Sequence, residues 1–326
     1  MDLNARTRVW RDGKLEEEGF PAARISDYLA EPDTIVWLDL CDPSPEGLQV
    51  ISEEFGLDPL AVEDAISHHE RPKLDHYAGH LFFNAYAVRL SDENGELATH
   101  EISAFITERA LVTVRGDEEF DVDALLKQWD DSPDLAKYGV AYLLHGLIDL
   151  IVDGHFDAVQ ALDGAIDGLE ERLFADEVPT RDTQYRSYRL RKSLTLLRRV
   201  VLPMREVVNT LLRRDLKVVP EEMTPYFQDV YDHVLRATEW TESLRDVVTS
   251  LQESRIAIQG NHLNQVMKKL TGWAAIIAVP TAVTGFYGQN VPYPGYGKHW
   301  GFVVSLGVLI ATALALYAIF KKRDWL

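Results

Sequence analysis

The feature that most constrains this chain is a pair of apolar runs near its C-terminal end. Thr271 to Phe286 is essentially uncharged, and Gly301 to Phe320 holds no charged residue at all. A bilayer core about 30 Å thick needs about 20 apolar residues in a helix. The second run meets that length directly. The first meets it once the helix extends back through Leu263 and Met267. Lys268 and Lys269 precede the first run, and Lys321, Lys322 and Arg323 follow the second, whereas the connecting loop holds only Lys298 and His299. Basic residues stay on the cytoplasmic side. The runs therefore predict a multi-pass hairpin in the cytoplasmic (inner) membrane, its tip outside and the N- and C-termini in the cytosol.

The remainder reads as a soluble protein. The 326 residues carry 52 acids against 33 basic side chains, a formal charge of -19. That balance excludes a nucleic-acid binder, which needs a basic face for phosphates, and fits either a solvated surface or one that attracts cations. The single cysteine, Cys41, excludes an internal disulfide and any Cys-X-X-Cys metal site. The N-terminus, MDLNARTRVWRDGK, lacks the apolar core of a secretory signal. No GxxxxGK[ST] loop and no nucleophile–base motif is present, so the sequence points to neither an ATP-driven pump nor an enzyme.

Residues 1–137 read as an α/β domain. TIVWLDL and AFITERALVTVRG have strand composition, HLFFNAYAVRL leads into a Glu93-Asn94-Gly95 turn, and PEGLQVISEEFG, DPLAVEDAISHH (with Asp58 as N-cap) and DVDALLKQWDD read as helices. Residues 138–262 read as a helical stalk bundle with three apolar stripes at helical spacing. These run Val159, Leu162, Ile166, Leu169, Leu173; then Leu190, Leu194, Leu197, Val201, Met204, Val208, Leu211; then Phe227, Val230, Val234, Ala237, Thr241, Leu244, Val248, Leu251. ADEVPT separates the first two, and a single helix from about Met223 to Tyr287 would be roughly 95 Å long. Residues 263–326 are the transmembrane hairpin, with 263–288 as a candidate lining helix and 301–320 as its companion. Two spans cannot enclose a pore, so any pore requires a ring of subunits, for which the stripes provide a bundling surface.

Counting back along the first span by helical turns gives Gly288, Gly285 or Thr284, Thr281, Ala278, Ala274, Leu270 or Thr271, and Met267. This face is small or weakly polar near the outside and bulkier near the cytosol. It suits either a water-filled bore narrowed by Met267 and Leu270 or close packing of helices.

These residues resemble the membrane part of CorA-type divalent-cation transporters. The strings that carry the likeness are NQVMKKLTGWAAIIAVPTAVTGFYGQN, the following span and the terminal KKRDWL, with WLDL, VEDAISHHERPK and PYFQDVYDH upstream. The resemblance implies a funnel-shaped homopentamer in the lipid bilayer, lined by the first span and gated by intracellular Mg²⁺ bound between subunits. By position, it makes Asn290 the outer ring for the hydrated ion and Thr281 a further polar ring. Met267 and Leu270 become the hydrophobic gate, with Asn264 just inside. Asp64 and Asp229 become sensor carboxylates facing each other across a subunit boundary, and Asp163 a further regulatory acid. His68 and His69 offer imidazoles to a transition metal or simply form a polar loop.

Two departures bear on the ion. The family signature Gly-Met-Asn stands here as Gly288-Gln289-Asn290, and VPYPGYGKHW lacks the acid usual in that loop. Both resemble the branch that includes ZntB-type zinc transporters, where proton coupling is proposed. The resemblance thus implies transport of Mg²⁺ with Co²⁺ and Ni²⁺, with Zn²⁺ as the alternative. A reading from another class is a cytosolic regulator that uses the hairpin only as an anchor.

Overall fold

A computed structural model describes residues 4–67, 70–91, 95–175, 181–213, 216, 218–289 and 291–325, with the backbone alone for 173–175, 181 and 182. The turn at Glu93-Asn94, the pair His68-His69, and Asn290 therefore lie outside the described residues. So do most of ADEVPT and the side chain of Leu173. The described chain forms two compact units, Met1–Thr249 and Ser250–Leu326.

The first unit is built on a seven-stranded sheet. Strands β1 (Ala5–Arg11) and β2 (Lys14–Glu18) form a hairpin at the edge. Asp12 and Gly13 both take positive φ, 49° and 71°, as a two-residue loop of this kind requires. A side chain at Gly13 would meet the Lys137 backbone nitrogen at 2.8 Å. β3 (Thr34–Cys41) pairs antiparallel with β1 and parallel with β7 (Ala110–Arg115). β4 (Lys73–His76), β5 (Leu81–Leu90) and β6 (Leu97–Ile106) complete the order β2-β1-β3-β7-β6-β5-β4. AFITERALVTVRG, which reads as one stretch of strand composition, is the end of β6, a turn and β7. Thr107 closes that turn by accepting from the Ala110 amide at 2.9 Å.

Alternation along each strand supplies two cores. Val36, Leu38 and Leu40 face α1 (Ile25–Ala30), α2 (Pro45–Phe55) and α3 (Pro59–Ser67). Trp37, Leu81, Phe83 and Ala85 face the other way, toward α4 (Val122–Asp131) and the long helices. Asp58 accepts from the Leu60 amide at 2.9 Å, and Ser44 and Asp121 cap α2 and α4 in the same manner.

The three stripes fall on α5 (Val140–Ala175), α6 (Arg181–Leu211) and α7 (Thr224–Tyr287). Every described stripe residue is buried, from Val159 and Leu162 at 0 % exposure to Leu251 at 8 %. The single helix expected from about Met223 to Tyr287 is realised as α7, which runs from Thr224 to Tyr287. In the second unit, α7 is followed by a short loop and α8 (His299–Lys322). Among the described residues, two segments are long and apolar enough to span a membrane: Glu221–Tyr287, with a best-window mean hydropathy of 1.4, and His299–Lys322, with 2.4.

One buried base ties α5 to the sheet. His155 is 1 % exposed, and its Nε2 lies 2.7 Å from the Tyr86 carbonyl. Burial lowers its pKa from 6.5 to about 4 despite that hydrogen bond. The unfolded imidazole takes up a proton near 6.5 and the folded one only near 4, so the unfolded state binds more protons between these values. Stability is therefore lost as pH falls through that window, by about 3 kcal/mol in total. His155→Gln keeps a donor and does not titrate. It is expected to show a smaller drop in melting temperature from pH 7 to pH 5 than the parent. An equal drop in both proteins would assign the acid sensitivity elsewhere.

Candidate ion pathway and regulatory acids

The membrane half of α7 has two unlike faces. Gly272 is buried, and Ile276, Val279, Val283 and Tyr287 are partly covered. Asn264, Met267, Leu270, Ala274, Ala278, Thr281, Gly285 and Gly288 are exposed, Met267 by 58 % and Leu270 by 64 %. At about 100° per residue these two sets lie on opposite sides of the helix. α8 likewise has one partly covered stripe: Gly301, Ser305, Leu309, Thr312, Leu316 and Phe320. The face that the sequence singles out is thus the one left bare in a single protomer.

Its hydroxyls are arranged as acceptors. Thr281 Oγ1 donates to the Ile277 carbonyl at 2.8 Å, and Thr284 Oγ1 donates to the Thr281 carbonyl at 2.9 Å. Each hydroxyl has one proton and two lone pairs. With the proton engaged inside the helix, what remains outward is oxygen lone pair, which accepts from the water shell of a cation.

The hairpin tip is closed by aromatic packing. The Gly288 amide caps Thr284 at 2.8 Å and the Gln289 amide reaches Phe286 at 3.3 Å. Tyr287 meets Tyr293 edge-on at 5.1 Å, Tyr293 meets Tyr296 at 5.4 Å, and the Tyr293 hydroxyl donates to the Tyr287 carbonyl at 3.3 Å. A Cβ on Gly301 would lie 2.4 Å from the Gly295 carbonyl oxygen, so the loop can fold back only onto glycine. Gln289 is exposed at this tip.

The three candidate regulatory acids have different surroundings. Asp64, on α3, is 26 % exposed and accepts from Lys73 Nζ at 2.6 Å; Glu70 and Asp75 lie 3.4 Å from the same ammonium. Burial alone lowers the Lys73 pKa, but the Asp64 hydrogen bond and the three negative charges more than offset this and raise it. Lys73 was invisible as a partner in the sequence, because only β4 brings it back to α3. Asp229, on α7, is 70 % exposed, with His233 Nδ1 4.0 Å away. Asp163, on α5, is half-buried. Among the described residues no ion pair or hydrogen bond links these three acids.

Comparisons with known proteins identify the family. The family model described as "CorA-like Mg2+ transporter protein" matches residues 32–322. The cobalt/magnesium transport protein CorA of Thermotoga maritima is 32 % identical over 283 residues, covering 86 % of this chain and 80 % of that one. The zinc transport protein ZntB of Yersinia pseudotuberculosis is 22 % identical over 96 % of this chain and 94 % of its own. Among solved structures, the CorA magnesium transporter of Methanocaldococcus jannaschii superposes with a TM-score of 0.82 at 21 % identity, over 100 % of both chains. The chain belongs to the CorA-like Mg²⁺ transporter family, a family of membrane metal-ion transporters.

Proposed function

We propose that this protein carries divalent cations, chiefly Mg²⁺ and also Co²⁺ and Ni²⁺, into the cell through a homopentameric pore in the cytoplasmic membrane. The observation that carries the reading is the bare face of α7, with small residues and outward lone pairs at Thr281 and Thr284. Mg²⁺ gives up its waters reluctantly, so a ring of neutral oxygens that accepts from those waters suits it better than a ring of charges. Asn290 and Gln289 present amides at the outer mouth, followed inward by Gly288, Thr281 and Ala278. Met267 and Leu270 form the apolar constriction, and Asn264 lies beyond it. The basic clusters at Lys268–Lys269 and Lys321–Arg323 keep both termini in the cytosol. A divalent ion gains about 2 × 2.3 kcal/mol per 100 mV on entering an inside-negative cell, which drives uptake without ATP.

Residues 1–137 and 138–262 act as the sensing part, and 263–326 as the conducting part. With Mg²⁺ abundant inside, Asp64 of one subunit and Asp229 of the next hold the ion between them, with Asp163 nearby. When Mg²⁺ falls, the carboxylates repel and the ring loosens. Lys73 holds Asp64 in place meanwhile and competes with the ion for it. A second reading, proton-coupled Zn²⁺ transport, is favoured by Gln289 and by the acid-free loop, whose one charge is Lys298.

Thiol accessibility tests the lining helix. Cys41 is the only cysteine and is buried, so Cys41→Ser gives a clean background. Cysteines at Ala278, Thr281 and Gly285 are expected to react with a charged thiol reagent about tenfold faster than cysteines at Ile276, Val279 and Val283, because only a watered site supports the thiolate. Mg²⁺ should slow the first set. Equal rates on both faces would remove α7 from the pore.

A further inference from the structure

The end of the hairpin opposite its tip holds a cavity of about 460 Å³, within the size range of small-ligand sites. Asn261, Gln265, Lys268 and Thr271 line it from α7, and Trp325 lines it from the segment after α8. At about 100° per residue, Asn261, Gln265 and Lys268 share the partly covered side of α7 with Gly272, Ile276 and Val279, and lie away from Leu270 and Thr281. Asn264 and Met267 also border the cavity, from the flank nearer the bare face. The chain turns back after α8 in the manner of a Schellman ending. Asp324 takes φ 53°, and the Trp325 amide donates to the Phe320 carbonyl at 2.9 Å. The Trp325 indole then stacks on the Phe320 ring, 5.4 Å between centroids and 11° between planes.

Charge at this end is one-sided. After Glu253 the only acid in the chain is Asp324, against Lys268, Lys269, Lys321, Lys322 and Arg323, although the whole protein carries -19. All five basic side chains are exposed, and among the described residues none has an acidic partner. Nor does any described group accept a hydrogen bond from the side chains of Asn261, Gln265 or Trp325. Unused donors beside a cation fit an anionic group, and the aromatic pair with the apolar spans next to it fits an acyl chain.

We propose that the cavity between Lys268 and Trp325 binds the phosphodiester headgroup of an anionic membrane phospholipid. Asn261 and Gln265 are its further donors, and Lys321, Lys322 and Arg323 supply the surrounding positive field. Basic pockets at the ends of membrane helices recognise such headgroups. Tryptophan sits at headgroup depth, and lysine extends its ammonium to the same level. A soluble phosphate offers the charge but no chain to lie against α7 and α8, so the occupant is the lipid. Lys268 follows Met267 directly, and a headgroup held here steadies α7 beside the proposed constriction. The site rests on the hairpin spanning a bilayer, and not on which ion is carried.

The test counts phosphatidylglycerol and phosphatidylcholine retained by full-length, detergent-purified protein in native mass spectrometry. Phosphatidylglycerol is expected to be held at least about tenfold more tightly. Lys268→Gln should weaken it about fivefold, the effect of one charge at a membrane surface, and Lys268→Gln with Trp325→Ala should weaken it further. Lys127→Gln, an exposed lysine on α4, should change nothing. Lys268 is exposed and Trp325 half-buried, so these variants leave the core intact, and elution volume checks assembly. Equal retention of the two lipids would overturn the proposal, as would unchanged phosphatidylglycerol binding in the double variant. Displacement of the lipid by inorganic phosphate at equal concentration would overturn it in favour of a soluble anion. Flotation with vesicles of phosphatidylcholine alone is the separate check. Protein that does not float would overturn the membrane hairpin and the site with it, whereas floating protein with no preference for phosphatidylglycerol would overturn the site alone.

Discussion

Asn290→Ala is expected to abolish most Mg²⁺ uptake while leaving assembly and membrane insertion intact. A ring of subunits loses every amide of the outer mouth at once. Each hydrogen bond to a charged or strongly polarised partner is worth about 1–3 kcal/mol. Losing the equivalent of two therefore costs at least about 2 kcal/mol, or about thirtyfold in occupancy at limiting Mg²⁺. Uptake into proteoliposomes at low external Mg²⁺ checks this, alongside Gln289→Ala. Gln289 is exposed at the tip, and its loss should cost less than that of Asn290. Uptake unchanged in Asn290→Ala would favour the hairpin as an anchor and the protein as a membrane-bound regulator.

Asp39→Ala is expected to be the most destabilising single change in the sheet. Asp39, on β3, and Arg115, at the end of β7, have side chains 2 % and 6 % exposed. Arg115 Nε and Nη2 donate to the carboxylate at 3.0 and 2.7 Å, and Thr113 Oγ1 adds a third bond at 2.7 Å. Burial disfavours the guanidinium charge, and the Asp39 hydrogen bond and charge more than restore it. Removing the acid leaves the buried cation only the Asp117 carbonyl, 3.0 Å from Nη1, at a cost of about 3–5 kcal/mol. A unit of this size should lose on the order of 10 °C in melting temperature. The control is the double variant Asp39→Leu with Arg115→Met, which removes both charges and should recover much of the loss. A single variant that melts with the parent would mean that water reaches Arg115 in solution.

The stripes on α5, α6 and α7 were legible because helix burial leaves a period in the sequence, and Val159, Leu194 and Phe227 are all buried as that period predicts. The edge hairpin was harder to read. Asp12-Gly13 carried its turn signal, but LEEE in β2 is a charged edge strand with no alternation to announce it. AFITERALVTVRG looked continuous because Thr107 makes its turn with a side chain, without glycine or proline. The bare face of α7 was visible as spacing, although spacing alone could not separate pore from helix packing. Partners supplied by the fold were not legible. Lys73 reaches Asp64 through β4, and Arg115 reaches Asp39 across the parallel pair of β3 and β7. Long-range pairs of that kind leave no local period.

The most direct test of the central claim is ion flux by the unaltered chain. Purified protein in proteoliposomes would be exposed to Mg²⁺ or Zn²⁺ outside, under an inside-negative potential or, separately, a proton gradient. The account predicts Mg²⁺ entry that follows the potential and falls as internal Mg²⁺ rises. Zn²⁺ entry that follows the proton gradient, with no Mg²⁺ entry, would contradict it in favour of a zinc transporter. No flux of any divalent ion would contradict both readings.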